Sequence, residues 1–467
     1  MGEAVQRNGA GRVDGGRAGG AKTGAAFRIV MAAGLLLTLA VNLPGQMTFD
    51  SVVSLTEART GIRQTWAPAI SSGILRPFDG LLAGTGLYVT ASAALLFLSL
   101  MSLPRLRPRT AWTAVVVGGF LILTPQLLIY QGIVWRDVLF ANLAIAGFVM
   151  LAHASEHWTA RPPVLPLAGA LVCLALAAIV RQNGLILVAM AAVALGWTVR
   201  AGGWRRSLAW GLGGFIAAVL LAAGFNQLAL PSEIPEALRK DVGFRILEHY
   251  DIVGAQAHHP TLKLKEIAKA DPEAAAYLQA HSAQIYSPSR IDTLDNDPVL
   301  GRSLWKTPAT AISAQWRHIV IHTPAAYLLQ RADVFRWTFL TPNLEMCLPV
   351  AAGVSGAPGM LKDLGLTGGV DRQAQGVVEY AQHFYRTPVY SHLFWAVAAL
   401  GVIGLLIRRR DPADWVFIAL MTGALGFAAS FAVISVACDY RYLYLLDLAA
   451  MVGLIYTALD PPRPRRA

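Results

Sequence analysis

The sequence predicts an all-α polytopic membrane protein with about ten transmembrane helices, interfacial helices and a mostly helical extracytoplasmic domain. Three observations carry that expectation. The composition is 55% AVILMFWYC and only 14% charged, where an average soluble protein has about 25% charged residues, and the mean hydropathy is +0.49. Apolar runs recur at lengths near the about 20 residues a helix needs to cross a hydrocarbon core. The hydrophilic breaks between them alternate in cation content. Disorder, a disulfide-rich scaffold and an ordinary soluble enzyme are excluded at this level. The net charge of +11, from 39 Lys and Arg against 28 Asp and Glu, comes mostly from short breaks between apolar runs rather than from one soluble module. It therefore marks topology and a membrane lipid surface, and nucleic acid is not an expected partner. The three cysteines show no paired spacing, so a zinc knuckle is not expected.

Ten apolar stretches qualify, at about 27–44, 81–103, 111–130, 134–152, 164–180, 183–199, 207–230, 390–407, 414–436 and 441–458. Residues 1–26 are rich in Gly, Ala and Arg and are expected to be a disordered cytoplasmic tail. The first apolar run lacks a clear small-residue cleavage site and is expected to be a retained helix. Seventeen cations fall in one set of breaks: Arg7, Arg12, Arg17 and Lys22, then Arg105, Arg107 and Arg109, Arg161, Arg200, Arg205 and Arg206, Arg408 to Arg410, and Arg463, Arg465 and Arg466. The short loops opposite hold six, Arg59, Arg63, Arg76, Arg136, Arg181 and Arg441. Positive-inside then places both termini in the cytoplasm, and the expected location is the cytoplasmic (inner) membrane.

The organisation that follows is an N-terminal membrane module over 27–230 with outer loops at 45–80 and 131–137, an extracytoplasmic domain over 231–389, a C-terminal membrane module over 390–458 and a cytoplasmic tail over 459–467. The segment 231–389 carries 15 Lys and Arg and 16 Asp and Glu, a soluble balance on a segment too long for a linker. Within it, Trp316, Ile319, Val320 and Ile321 share helical spacing and Pro324 opens a further helix. Trp305, Trp316 and Trp337 suit helices lying at a membrane interface. No repeat of 20–50 residues is visible.

In such a chain the informative residues are charges at the apolar boundary, costly there unless paired or hydrated. On the outer side they gather at four places. The loop after the first helix holds Asp50, Glu57 and Trp66-Ala67-Pro68. Asp50 and Glu57 are seven apart, so an interfacial helix would present both on one face, or Asp50 would merely cap that helix. A short hairpin carries Trp135-Arg136-Asp137, which suits either a site or an interface anchor with a capping carboxylate. A minimal turn carries Arg181-Gln182-Asn183-Gly184; Asn-Gly accounts for the turn but not for Arg181. Cys438-Asp439-Tyr440-Arg441-Tyr442-Leu443-Tyr444 opens the last helix, with Asp447 one to two turns deeper, where Tyr and Arg are also the usual belt and snorkelling residues. Arginine forks match phosphate oxygens, and a nearby carboxylate can take a proton from an attacking hydroxyl or hold a cation.

At these residues the sequence resembles the GT-C class of integral-membrane glycosyltransferases, which includes the protein O-mannosyltransferases and the lipid A aminoarabinose transferase. The resemblance covers most of residues 27–458. It consists of Asp50 followed by Trp66-Ala67-Pro68, then Asp137-Val138-Leu139-Phe140, then Arg181 to Gly184, and Arg441 to Tyr444 after a large outer domain. His322-Thr323-Pro324 through Arg331 also resembles a helix of bacterial relatives. Many relatives carry an acidic pair where Asp50 is followed by Ser51, and His-Pro-Pro where this chain has Ala67-Pro68-Ala69. The resemblance implies a GT-C-like fold and an inverting transferase that moves a sugar from a polyprenyl-phosphate donor to a hydroxyl on a glycan, lipid or protein acceptor. It implies Asp50 as general base, with Asp137 supporting it or binding a possible divalent cation. Arg181 and Arg441 would bind the donor phosphate, with Tyr442 and Tyr444 lining its groove. Glu57, Trp66, Trp135 and Arg136 complete the expected substrate-binding set.

Two other classes fit parts of the pattern, a secondary transporter and a lipid-linked oligosaccharide ligase or polymerase. Polar residues at outer lips and a large outer domain favour the transferase over a transporter with broken helices at the midplane. His258, His259, His281, His318, His322 and His383 are read as solvated or interfacial, and Asp292, Asp295 and Asp297 as a polar turn. Cys347 and Cys438 are both expected outside and could pair.

Overall fold

The computed structural model describes residues 7–63, 70–159, 161–234, 236–301 and 306–461. It is all-α; among the described residues, extended backbone pairs only as isolated bridges. Helix α1 (Arg7–Asn42) is followed by the short α2 (Phe49–Thr60) and α3 (Ile70–Leu81), then α4 (Gly86–Ser102), α5 (Trp112–Ile122), α6 (Pro125–Leu128), α7 (Arg136–Glu156), α8 (Val164–Val180), α9 (Leu185–Thr198) and α10 (Trp204–Asn226). A mostly helical insertion holds α11 (Glu236–His258), α12 (Lys265–Ala270), α13 (Pro272–Ile285), α14 (Asp292–Asp295), α15 (Ala309–His322), α16 (Pro324–Leu340), α17 (Pro358–Leu364) and α18 (Arg372–Gln382). Helices α19 (His392–Arg409), α20 (Pro412–Ile434) and α21 (Tyr444–Leu459) close the chain.

Seven of these helices are long and apolar enough to cross a membrane, and α5 with α6 forms one bent candidate. The chain is a multi-pass membrane protein. Every stretch anticipated as a span contains a helix. Helices α8 and α9, at 17 and 14 residues, are shorter than the other candidates, so seven to eight candidate spans stand where about ten were expected. Two further departures concern the third stretch and the N-terminal segment. The third is broken: Thr124 is extended and Pro125 opens α6, so the axis turns by 74°. Proline removes a backbone donor and disfavours helical geometry in the residue before it. The chain beyond the break is buried and carries Gln126, Tyr130 and Gln131 into the core. The other departure is the N-terminal segment. Residues 7–26, expected to be disordered, continue the helix of the first span, since extending an existing helix avoids the cost of nucleation. Residues 1–6 and 462–467 of the two tails, Trp66-Ala67-Pro68 and Trp305 lie outside the described residues.

Contacts between loops fall into two sets, one at each end of the bundle. At one end Arg107 pairs with Asp411 and Asp460, at 2.6 and 2.8 Å, and Arg409 with Asp414 at 2.6 Å. At the other end lie α2, the loop before α7, the α8–α9 tip, the 231–389 segment and the loop before α21.

The 231–389 segment is not one unit. Residues from Tyr250 to Val334 enclose a core of their own, whereas Leu364, Val377 and Ala381 belong to the core of the membrane helices. Pro324 does open α16 as expected. Trp316 is partly buried against this first part, where its indole donates to Asp251 (2.8 Å) and its ring meets Phe244 and Tyr327. Arg331 on α16 faces Asp251 and donates to the Ser435 carbonyl at 2.7 Å, so this first part grips the loop that leads to α21.

Arg59 on α2 makes a two-pronged contact with Asp79, both bonds 3.0 Å. The guanidinium holds the Asp79 carboxyl below its ordinary range, with the Gly84 amide adding to the effect. A carboxyl depressed in the folded state contributes stability that is fully present above its unfolded pKa of about 3.9 and is lost as pH falls through the folded value. The stability gap between wild type and Asp79→Asn should therefore narrow as pH drops from neutral toward 3 in detergent melting experiments. A gap independent of pH would show that this pair contributes nothing.

Candidate functional site

The site is built on backbone seams that bring loops distant in sequence to one lip. The Gln46 amide donates to Gly132 O (2.8 Å) and the Val134 amide to Gln46 O (2.9 Å). Gly132 is required there, because a Cβ would lie 2.1 Å from Asn42 Cβ. On its other side Met47 pairs with residues 353–355, its amide donating to Gly353 O at 2.9 Å. Helix α2 starts from this seam. Thr48 is its N-cap, bonded through amide and hydroxyl to Ser51 Oγ (3.2 and 3.1 Å), and Ser51 Oγ donates to Val134 O at 2.6 Å. Capping is thus done by Thr48 and Ser51, which leaves the Asp50 side chain free for another role.

Asp50 faces Arg441, Oδ2 to Nη2 at 3.0 Å, although 391 residues separate them. Its side chain is 61% exposed, against 14% for Arg441. Arg441 also pairs with Asp439 (3.2 Å), and its guanidinium lies over the rings of Trp135 (5.1 Å) and Tyr442 (5.8 Å). The 3-10 turn Tyr440–Leu443 that carries it is anchored by the Cys347–Cys438 disulfide and by the Cys438 amide donating to Ser289 O. The two cysteines that spacing alone left unassigned thus join the 231–389 segment to the site.

A second ion pair adjoins the first. Asp137, in the first turn of α7, is buried against Arg181 at the α8–α9 tip; a carboxylate is favoured at a helix N-terminus. The Arg181 guanidinium lies over Tyr442 (5.3 Å) and Phe431 (5.9 Å), and these two rings stack. Tyr442 therefore stands between Arg181 and Arg441. Arg136 is within electrostatic reach of Asp50, Arg441 and Tyr442. Asp137 Oδ2 and Arg181 Nε are buried without a hydrogen-bond partner among the described residues.

Seven of the expected site residues thus meet at one lip: Asp50, Trp135, Arg136, Asp137, Arg181, Arg441 and Tyr442. Two do not. Glu57 is buried where α3 covers the C-terminal half of α2, and it accepts a 2.5 Å bond from Ser72. Heptad spacing placed it near the azimuth of Asp50 but could not reveal that α3 lies over that end. Tyr444 points into the core, stacked on Tyr130; its hydroxyl donates to Gln126 O (2.8 Å) and accepts from Gln131 (2.7 Å). Tyr442 belongs to the 3-10 turn and Tyr444 opens α21, so the two side chains leave in different directions. Trp66 lies outside the described residues.

Asp439 and Phe431 were not among the expected site residues. The acidic-x-basic pattern Asp439-Tyr440-Arg441 was a signal for the first; Phe431 inside an apolar run offered none. The divalent cation implied by the resemblance does not fit these side chains. Asp50 and Asp439 both face Arg441 and Asp137 faces Arg181, so each carboxylate already meets a cation. No group of three metal-ligating side chains occurs among the described residues.

Fold and site together define a helical multi-pass membrane protein with three arginines, three aspartates and an aromatic wall at one lip of the bundle. No family model matches the chain, and no curated protein does. Among solved structures, the crystal structure of the Archaeoglobus fulgidus oligosaccharyltransferase in complex with Zn and sulfate is similar at 13% identity and a TM-score of 0.41. The alignment covers 92% of this chain and 48% of that one, so the chain spans about half the length of the structure it matches.

Proposed function

We propose that the chain is a membrane glycosyltransferase of the GT-C type that moves a sugar from a polyprenyl-phosphate donor to a hydroxyl acceptor on the outer face of the cytoplasmic membrane. The observation that carries this reading is the exposed Asp50 carboxylate resting on Arg441, beside Arg136 and Arg181. Three guanidinium groups around one aromatic ring form an anion site, and the carboxylate at its open edge can receive a proton from a substrate. In the proposed step the acceptor hydroxyl gives its proton to Asp50 while its oxygen bonds to the anomeric carbon. The bond from that carbon to the phosphate oxygen breaks, and the electron pair stays on the phosphate, where Arg441 and Arg181 stabilise the charge. A single displacement inverts the anomeric centre. Asp137 positions Arg181, and Tyr442 spaces the two arginines. The cation bias of the loops supports a cytoplasmic location of both termini. A disulfide at the site suits an oxidising compartment on that side.

The test is transfer by the purified chain in lipid nanodiscs, with polyprenyl-phosphate sugars as donors and glycan and lipid analysis of a deletion strain to choose them. Arg441→Ala should raise the donor concentration needed for half-maximal rate by about tenfold or more, as loss of a charged hydrogen bond predicts, with acceptor dependence unchanged. Equal effects on both substrates, or none on the donor, would remove Arg441 from phosphate binding. Substrate uptake into vesicles without bond cleavage would replace the transferase reading with transport.

A further inference from the structure

Two cavities lie one above the other at the end of the bundle away from Asp50 and Arg441. The first, of ≈ 350 Å³, is a partly open cavity between α7, α8, α9 and α10 and is almost wholly apolar; Leu151, Leu171, Leu174, Leu195 and Trp210 line it beside the small residues of α10, among them Gly213 and Gly214. The second, of ≈ 340 Å³, is polar and holds Arg200, Arg206 and Arg410 with a single acid, Glu156. They share helices in register. Leu151 and Ser155 on α7, Leu195 and Thr198 on α9, and Trp210 and Arg206 on α10 each contribute one residue to either cavity. Each pair is three or four residues apart, about one helical turn or 5 Å along the axis. The Trp158–Trp210 edge contact, centroids 4.9 Å apart, stands at their boundary.

We propose that the two cavities form one binding site for an anionic phospholipid, its phosphate among Arg200, Arg206 and Arg410 and an acyl chain between α8, α9 and α10. Charge complementarity and the apolar chamber one turn deeper together specify a lipid rather than a free anion. Basic pockets between membrane helices suit such headgroups, and a chamber without polar partners is not a site for water. The volume lies in the range of small-molecule sites, roughly 300–1,000 Å³. The site is separate from the proposed donor site. Arginine 181 follows the last residue of α8, and Leu171 and Leu174 precede it by two to three turns. The arginines of the polar cavity belong to the cation-rich set of breaks, which places this lipid in the leaflet opposite the transfer reaction. The α8–α9 hairpin that would clasp the acyl chain also carries Arg181 at its tip.

Native mass spectrometry of the purified full chain in micelles, titrated with phosphatidylglycerol, tests the site. One lipid per chain should be retained, with phosphatidylcholine at least tenfold weaker. The double variant Arg200→Ala/Arg206→Ala should weaken retention about thirtyfold, at the usual worth of two surface arginines on an anionic lipid. Gly213→Leu projects a side chain into the apolar cavity where a Cβ meets nothing within 4 Å. It should fold normally and weaken retention about tenfold by displacing two methylenes. Equal retention of phosphatidylcholine, unchanged retention in either variant, or inorganic phosphate displacing the lipid at equal concentration would overturn the proposal.

Discussion

Asp50→Asn is expected to lower the transfer rate by about 10²–10⁴-fold, the usual contribution of a positioned general base, while leaving the fold intact. Asparagine keeps the size and planarity of the side chain and lacks the basicity to take a hydroxyl proton. The reasons to expect an undamaged fold are local. The start of α2 is capped by Thr48 and Ser51, Arg441 retains its 3.2 Å partner Asp439 and its stack on Trp135, and Asp50 itself is mostly exposed. Substitutions of that kind change stability by about 0.5 kcal/mol or less. Membrane insertion and melting temperature should therefore match wild type when turnover has vanished. The comparison variant is Glu57→Gln, which alters a carboxylate on the same helix, buried against Ser72 and away from the cluster; its turnover should stay near wild type in whatever fraction remains folded. Turnover of Asp50→Asn at the wild-type rate would remove this residue from the mechanism and leave the arginine cluster as a binding site.

The second large effect falls on stability, at the opposite end of the bundle. Asp414→Ala is expected to destabilise the protein by about 3–5 kcal/mol, the usual consequence of removing one partner from a buried ion pair. The Asp414 carboxylate is fully buried at the start of α20 and accepts from Arg409 (2.6 Å) and the Tyr456 hydroxyl (2.9 Å). Arg107, only 5% exposed, stands 3.9 Å away and also holds Asp411 and Asp460. Alanine leaves two largely buried guanidinium groups with one fewer counter-charge where four chain segments meet. Replacing the pair together, as Arg409→Met with Asp414→Leu, should recover much of the loss, because a buried ion pair and an apolar pair of similar volume are often equivalent. Thermal unfolding in one detergent gives the comparison. A single variant that melts within a degree or two of wild type would show that water reaches this junction.

The membrane helices were legible from sequence for a physical reason. A segment in hydrocarbon must satisfy its own backbone and present an apolar surface, so each span announces itself in its own composition without reference to any other part of the chain. Helix α16 was legible in the same way, from Pro324 and local periodicity. Pro125 was visible too, but whether a proline ends a helix, kinks it or opens a new one depends on what receives the freed backbone, and here that is a buried polar core.

The sequence by itself determined which segments enter the membrane, and it marked Asp50, Asp137, Arg181 and Arg441 as charges standing at an apolar boundary. Only the tertiary structure decided which of them pair. Asp50 meets Arg441 across 391 residues, Asp137 takes Arg181, Glu57 is covered by α3, Tyr444 turns inward, and Cys347 reaches Cys438. Burial in a membrane is a property of a residue and its neighbours along the chain. An ion pair depends on where two backbones come to rest, and that is set by the packing of the entire helical bundle.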